Sequence, residues 1–364
     1  MPSTAIPQES SLSLESQLKE QRRTVDFDTF DIHVQQLLQM LEEGQIWSAP
    51  RYQRLFRWDD TRCSQFIESL MLGIPIPSLF MATNPDSSWE VVDGLQRLSA
   101  LVKFAGGDDL RKKLNLHDQL KLSELKKLKD FNGLRLQDFP PTVKQHFLTR
   151  PCKVITLNDK SDNVVRYDLF ERLNTGGIAL SPQEIRDCVF SGPFADKLDQ
   201  LSKEKSFQKV VKLTKKQQRD ATGEECVLRF FAFKDRYKTF DHSVGDFLNS
   251  YMESAAKKFD YSAQEEIFSR TFAQLTKAFP KGIRRPGGKM STPLNLYEGI
   301  AVGAALALAK VNQLDASGIK QWLASDELRK YTTGATNDWR AVKGRIEFCR
   351  DRFLGKPYVP STAN

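Results

Sequence analysis

Apolar residues recur along this chain with two different periods, and the change from one to the other falls near its middle. Up to about residue 157, short β-branched or aromatic runs alternate with helical stretches; from Pro193 onward the spacing is almost wholly that of helices. Val25 and Phe27, then Phe30 with Ile32, predict a strand over 24–31 that leads into a helix over 33–43, with Gly44 in the C′ position. Asp59 or Asp60 supplies an N-cap for a helix running to Leu72 and closed by Gly73. Ile74-Pro-Ile-Pro77 breaks the chain and sets up 78–82 as a strand, Asn84-Pro-Asp-Ser as a turn, and 89–93 as the antiparallel return. That return strand stops at Asp93-Gly94 and restarts as a helix over 95–105.

Beyond it, Leu116, Leu120, Leu122, Leu125 and Leu128 have mixed spacing that fits short helix or loop equally, and 152–157 reads as another buried strand. Asn163 caps a helix that ends near Asn174 at Gly176-Gly177, and Ser181-Pro182 with Glu184 opens the next as a capping box with Pro at its first position. Helices are then expected over 224–233, 244–259, 262–279, 294–310, 316–329 and 338–353, with no internal repeat of fixed period. The fold class implied is α+β. A mixed-sheet domain over 24–190 is followed by an all-helical domain over 191–355, with a disordered tail over 1–23 and a short tail over 356–364.

Composition narrows the chemistry. At 364 residues the chain can build two domains and bury a real core. Lys plus Arg exceed Asp plus Glu by 54 minus 46, or +8, a balance that favours polyanionic partners. Much of the excess is clustered: 203–219 carries seven basic residues against Glu204 alone, and 111–129 is similarly rich, although such blocks are also ordinary solvated surface. The five cysteines form no Cys-x-x-Cys pair, which points to neither a zinc site nor a disulfide framework and fits a reduced cytoplasm. The polar N-terminus lacks the apolar core of a secretion signal. The most apolar run, 299–309, is far shorter than the roughly 20 residues a membrane span needs, so it reads as a buried helix and no membrane partner is expected.

Three segments concentrate candidate chemistry. At Asp93-Gly94 a strand gives way to a helix whose first turn carries Gln96 and Arg97, a layout that offers backbone N–H groups and a guanidinium to an anion; an ordinary strand-turn-helix with a surface Arg is the plain alternative. Between Ala49 and Trp58, Gln53, Arg54 and Arg57 alternate with Tyr52, Phe56 and Trp58, so that arginines could face phosphates while the rings stack on a ligand or simply fill core. Arg172, Asn174 and Thr175 gather at one helix end beside a Gly pair that permits close backbone approach, where helix capping is the alternative. The four histidines have no ligand or catalytic neighbours, and neither a phosphate-binding P-loop nor a Gly-x-Ser-x-Gly elbow is present. The remaining Arg, Gln, Asn and Asp set suits a nucleoside triphosphate: arginines neutralise phosphates, Asp93 holds Mg²⁺ or orients water, and Gln96 positions the nucleophile.

Four motifs in this order, Pro50-Arg-Tyr-Gln-Arg-Leu-Phe-Arg-Trp58, Glu68-Ser-Leu-Met-Leu-Gly-Ile-Pro-Ile-Pro77, Val92-Asp-Gly-Leu-Gln-Arg-Leu98 and Phe170-Glu-Arg-Leu-Asn-Thr-Gly-Gly177, resemble the N-terminal domain family of GmrSD type IV restriction enzymes. The resemblance covers about residues 25–190 well and the helical remainder more loosely. It implies a ParB/sulfiredoxin-like domain that binds or hydrolyses NTPs, GTP favoured, with Mg²⁺, in bacterial defence against phage or modified DNA. The family's Asp-Gly-Gln-Gln-Arg turn falls on Asp93, Gly94, Leu95, Gln96 and Arg97, so Leu95 replaces one amide and Gln96 is left to carry the polar role. Its Pro-x-x-Gln-Arg element falls on Pro50, Gln53 and Arg54, and its Arg-Leu-Asn element on Arg172 and Asn174. The Asp-x-x-His nuclease signature of full-length members has no match toward the C-terminus, which implies a stand-alone member that does not cut DNA by itself.

The resulting expectation is an NTP-binding and NTP-hydrolysing sensor or regulator of a restriction system that works with nucleotide and a separate effector protein. Its catalytic residues would be Asp93, Gln96 and Arg97, its nucleotide ligands Gln53, Arg54, Gly94, Arg97, Arg172, Asn174 and Thr175, and its metal ligand Asp93. A non-catalytic DNA-binding or partner-recruiting module using the same basic turn is the rival expectation. A metal-dependent nuclease of ParB-like fold is the third.

Overall fold

The sheet grows out of the hairpin that the two Pro-bounded runs encode. In the computed structural model, which describes residues 14–16, 26–47, 56, 58–84, 86–116, 118–158, 167–168, 170–172, 180–288, 290–334 and 336–358, the chain divides into two compact units, Met1–Ala179 and Leu180–Asn364. In the first unit the strands are β1 (Phe27–His33), β2 (Ile46–Trp47), β3 (Leu79–Thr83), β4 (Trp89–Asp93) and β5 (Pro151–Leu157), in the spatial order β1-β5-β3-β4-β2. β3 and β4 are the expected antiparallel hairpin, β1 runs antiparallel to β5, and the β5/β3 and β4/β2 pairs are parallel. The mixed sheet is that of an α+β fold.

Helix α1 (Val34–Glu42) buries Val34, Leu37, Leu38 and Leu41, the 0, 3, 4, 7 stripe of an amphipathic helix. Helix α2 (Asp60–Leu72) starts where the Asp59 side chain accepts the Arg62 N–H and ends at Gly73, whose φ of 73° closes it in the left-handed region. Helix α3 (Leu95–Ala105) follows β4 after Gly94. Two short or irregular stretches and α5 (Pro141–Leu148), with α4 at Asp108–Lys113, complete the unit before β5.

Where the sequence was ambiguous, buried side chains do the work of a ladder. Leu116, Leu120, Leu122 and Leu125 are buried in a non-helical segment whose backbone donors are met by side chains: on α2, Glu68 accepts the Lys127 and Leu128 N–H groups at 2.8 Å each and Ser64 Oγ accepts from Ser123 at 3.1 Å, and within the segment Asn132 Oδ1 accepts from Leu125 at 2.9 Å. Mixed apolar spacing is the mark of a chain held this way, since no regular repeat dictates which residues turn inward. The first strand runs two residues beyond the expected end and buries only Ile32, leaving Phe27 58% and Phe30 40% exposed. It is an edge strand with one neighbour, so its apolar alternation does not translate into burial.

The second unit is helical in every regular element described. It contains α6 (Pro182–Val189), α7 (Pro193–Ser202), α8 (Lys205–Val210), α9 (Thr222–Arg236), α10 (Val244–Lys257), α11 (Tyr261–Ala278), α12 (Leu294–Leu308), α13 (Ile319–Ala324), α14 (Asp326–Thr332) and α15 (Trp339–Phe353). Helix α6, which the sequence reading placed at the end of the first domain, is anchored here by the Ser181 hydroxyl donating to the Asp220 carbonyl at 2.6 Å and by a 2.7 Å Arg186–Glu225 ion pair. The capping box at Ser181 and Glu184 forms as its sequence requires. The single helix expected over 316–329 is instead two, because Ser325 leaves helical geometry and caps α14 by accepting the Leu328 N–H.

The apolar run at 299–309 lies within α12 up to Leu308 and is buried apart from half-buried Leu306, while Ala309 caps the helix and is exposed. Gly299 and Gly303 let α15 approach: a Cβ at Gly299 would sit 2.9 Å from the Arg345 carbonyl oxygen, and one at Gly303 2.7 Å from the Arg350 nitrogen. Among the described residues no helix is long and apolar enough to cross a membrane, and all five cysteines are free and buried.

Candidate functional site at the strand-to-helix turn

The turn between β4 and α3 is built by one glycine and one arginine. Gly94 has φ 105° and ψ 8°, a conformation strained for any other residue, and a Cβ there would lie 2.4 Å from Leu79 Cδ2 and force that buried side chain to shift. The Leu98 N–H reaches back to the Gly94 carbonyl at 2.8 Å and closes the first helical turn, while no side chain caps the helix. A strand ending in Asp and a helix opening at Gly therefore present an uncapped positive helix end beside a carboxylate.

Arg97 was expected to point its guanidinium outward at a bound anion. It folds inward instead. Its side chain is 10% exposed; it donates to the Pro77 carbonyl, to the Ser78 carbonyl at 3.1 Å, and to Asp93 Oδ2 at 2.5 Å. Burial pulls the guanidinium down from its ordinary value, and the Asp93 carboxylate opposes that shift. Nearby, burial pushes the Cys152 thiol up to about 11 against the pull of Arg97. The physical reason for the inward turn is the break at Pro75 and Pro77: with the chain bent ahead of β3, two carbonyls lie across the turn and need donors that no ladder supplies. Arg97 thus ties the start of β3, the end of β4 and the first turn of α3 into one unit. Asp93, whose side chain is 35% exposed, is the ionisable group that this arrangement leaves facing out.

Gln96 makes a link that the sequence did not reveal. Its Oε1 accepts the Trp58 backbone N–H at 3.2 Å, joining the turn to the segment just before α2, and the Arg62 guanidinium lies 4.9 Å from the centre of the Trp58 ring. Trp58 also packs edge-on against Phe66 at 5.8 Å, so this aromatic is partly core and partly wall of the turn. Leu95, the departure from the expected amide, packs against the hydrophobic cluster of the sheet.

The structure therefore brings Asp93, Gly94, Gln96 and Arg97 together. Gln53, Arg54, Asn174 and Thr175 lie outside the described residues, as do Arg57 and the Gly176-Gly177 pair, while Arg172 is exposed on a helical stretch. Among the described residues no group of three or more His, Cys, Asp or Glu side chains could hold a metal ion. A Mg²⁺ at this turn would accordingly rest on one carboxylate and on oxygens of a ligand, which is the usual manner of a nucleotide-bound Mg²⁺. The residue types present fit that role.

Residues 34–191 match the family model described as the GmrSD restriction endonuclease, N-terminal domain, a span that contains the whole turn. No curated protein and no solved structure matches the chain.

Proposed function

We propose, from the match of residues 34–191 to the GmrSD restriction endonuclease N-terminal domain family, that the chain is a cytoplasmic nucleotide-binding and NTP-hydrolysing regulator of a restriction system. The observation that carries the reading is the Asp93–Arg97 turn, where an uncapped helix end stands beside a partly exposed carboxylate fixed by a buried guanidinium. Phosphate oxygens meet the N-terminus of α3, Asp93 holds the Mg²⁺ that neutralises them, and Gln96 orients the attacking water. Arg97 acts one step back, as the residue that positions Asp93. Gln53, Arg54, Arg172, Asn174 and Thr175 are the further ligands to the nucleotide, GTP being the first candidate.

A thermal-shift series with GTP, ATP, CTP and UTP, each with and without Mg²⁺, tests this on the full chain. One nucleotide at about 100 times its dissociation constant is expected to stabilise the fold by roughly 2.7 kcal/mol. Asp93→Asn is expected to remove the Mg²⁺-dependent part of the shift and the release of inorganic phosphate. A flat response to all four nucleotides, or an unchanged Mg²⁺ response in Asp93→Asn, rules the site out.

One observation favours DNA as an additional partner. The loop after α8 and the loop after α11 pair with each other: Ile283 donates to the Val210 carbonyl and Thr292 to the Lys212 carbonyl, each at 2.8 Å, and Lys212 returns a 2.8 Å bond to Thr292 Oγ1. That pairing brings exposed Lys281 beside the 203–219 stretch, whose Lys209 at the end of α8 and Lys215, Lys216 and Arg219 on the following loop are also exposed. Duplex binding through such a surface depends steeply on salt, about 0.9 in log–log slope per phosphate neutralised. The triple variant Lys215→Glu, Lys216→Glu, Arg219→Glu is expected to flatten that slope by about 2–3 in fluorescence anisotropy with a DNA duplex. No binding by the unaltered chain at low salt, or an unchanged slope in the variant, removes DNA as a partner of this surface.

A further inference from the structure

A cavity of about 600 Å³ opens in the second unit where α13 faces the end of α15 and the turn that follows it. Its size is that of a small-molecule site. We propose that it binds a small metabolite through an oxyanion group, phosphate or carboxylate, accepted by Trp322, Arg352 and Lys356.

The argument starts from donors without acceptors. Trp322, 6% exposed, and Arg352 both line the cavity, and both the indole Nε1 and the guanidinium Nε are buried with no hydrogen-bond partner. Both groups can only donate, so what each lacks is an acceptor. Buried polar groups are nearly always paired, and two orphaned donors within residues that line one cavity point to a ligand whose oxygens reach them through a small shift of that lining.

Charge selects the kind of acceptor. Two cationic side chains, Arg352 and Lys356, line the cavity with a single carboxylate, Asp315. Asp315 is turned onto its own loop, where the Ser317 hydroxyl first and then the Ser317 N–H, which donates to Oδ1 at 2.8 Å, hold its carboxyl below the usual range. Arg352 forms one ion pair, with Glu327 at 3.6 Å, longer than a normal hydrogen bond, and Lys356 makes no ion pair among the described residues. A negatively charged ligand is the acceptor that fits this set.

The donors are also held in place before any ligand arrives. The Trp322 ring packs edge-on against Phe348 at 6.2 Å and Phe353 at 5.6 Å, and the Arg352 guanidinium lies 5.1 Å from the centre of the same Phe348 ring. The Asp315 N–H donates to the Phe353 carbonyl at 2.9 Å, which pins the cavity's far loop to the end of α15. Gly355, with φ 68°, permits the close pass, since a Cβ there would come 2.9 Å from Asp315 Oδ2. Fixed donors lose little freedom on binding, which is the condition for a specific small-anion site.

The test uses the full chain labelled with ¹⁵N and follows the Trp322 indole N–H resonance, identified by its loss in Trp322→Phe. Inorganic phosphate and acetate are titrated separately at constant ionic strength, with chloride as the control. The expected result is a saturable shift with one of the two probes and none with chloride, weakened at least tenfold in Arg352→Gln. Lys356→Gln is the second variant, used if Arg352→Gln fails to fold. A response shared by chloride, the absence of saturation with both probes, or an unweakened response in the folded variant overturns the proposal. Because the resonance reports only on its own surroundings, Asp93→Asn is expected to leave this titration unchanged.

Discussion

Glu298→Ala is expected to lower the unfolding free energy of the second unit by about 3–5 kcal/mol, the range for removing one member of a buried ion pair. Glu298 and Arg345 are each 1% exposed and bonded to one another across α12 and α15. The other oxygen of Glu298 accepts from Arg229 on α9; Arg229 also holds Glu225 at 2.8 Å, and Glu225 holds Arg186 of α6 at 2.7 Å. Charges alternate along this row, three guanidiniums to two carboxylates, and Arg186 Nε is satisfied in turn by Gln183 Oε1 at 2.9 Å. Deleting Glu298 leaves buried Arg345 without a carboxylate and takes one of two from Arg229. Arg345→Ala is expected to cost less, because Glu298 keeps Arg229. Urea unfolding monitored by circular dichroism gives both numbers, and a Glu298→Ala loss under about 1 kcal/mol, the scale of an exposed pair, would show that the row is not a load on the fold.

The acid limb of the same unfolding curve supplies a second readout. Burial alone would raise the Glu225 carboxyl, but Arg229 and Arg186 outweigh it and hold the group below its ordinary value of 4.5. A carboxylate depressed by folding contributes stability that is complete above the unfolded value and fades as pH falls through the folded one. The unaltered chain should therefore lose stability below about pH 4.5, and Glu225→Gln should be less stable at neutral pH yet show a shallower acid slope.

Legibility from sequence tracked how locally each feature is determined. Asp59, Gly73 and Ser181 act on backbone groups within three or four residues, so the helices they bound fall where the pattern places them. The hairpin of β3 and β4 was equally local, bounded by Pro77 on one side and the Asp93-Gly94 break on the other. β2 was not readable, because two residues paired in parallel to β4 have no period to display. The Ser325 break inside an otherwise helical pattern was hidden for the opposite reason: the apolar spacing continues through it, and only the cap interrupts the helix. Side-chain partners distant in sequence were the least accessible. Gln96 meets Trp58 across 38 positions, and Arg229 meets Glu298 across 69. The candidate residues of the turn could thus be named from the sequence, while the direction in which Arg97 points could not, since its two carbonyl acceptors are fixed by the fold.

That direction leads to the second large effect. Arg97→Ala is expected to destabilise the first unit by about 2–3 kcal/mol, since it leaves the Pro77 and Ser78 carbonyls and the Asp93 carboxylate without their donor, with the partial exposure of Asp93 reducing the cost. Arg97→Lys separates positioning from simple charge. An ammonium is a point donor on a flexible stem and cannot span two carbonyls and a carboxylate as the planar fork does. The lysine variant should fold, with a melting temperature between those of the unaltered chain and Arg97→Ala. Its nucleotide affinity should fall about tenfold, equivalent to 1.4 kcal/mol, and its Mg²⁺ midpoint should move to higher concentration because Asp93 is no longer fixed. Calorimetry with nucleotide across a Mg²⁺ series measures both. An unchanged Mg²⁺ midpoint in Arg97→Lys would end the positioning role. If Arg97→Ala instead kept the unaltered melting temperature while losing nucleotide, the guanidinium would have to leave its buried acceptors and contact phosphate directly, and the inward-folded turn would then be one of two states that the nucleotide selects between.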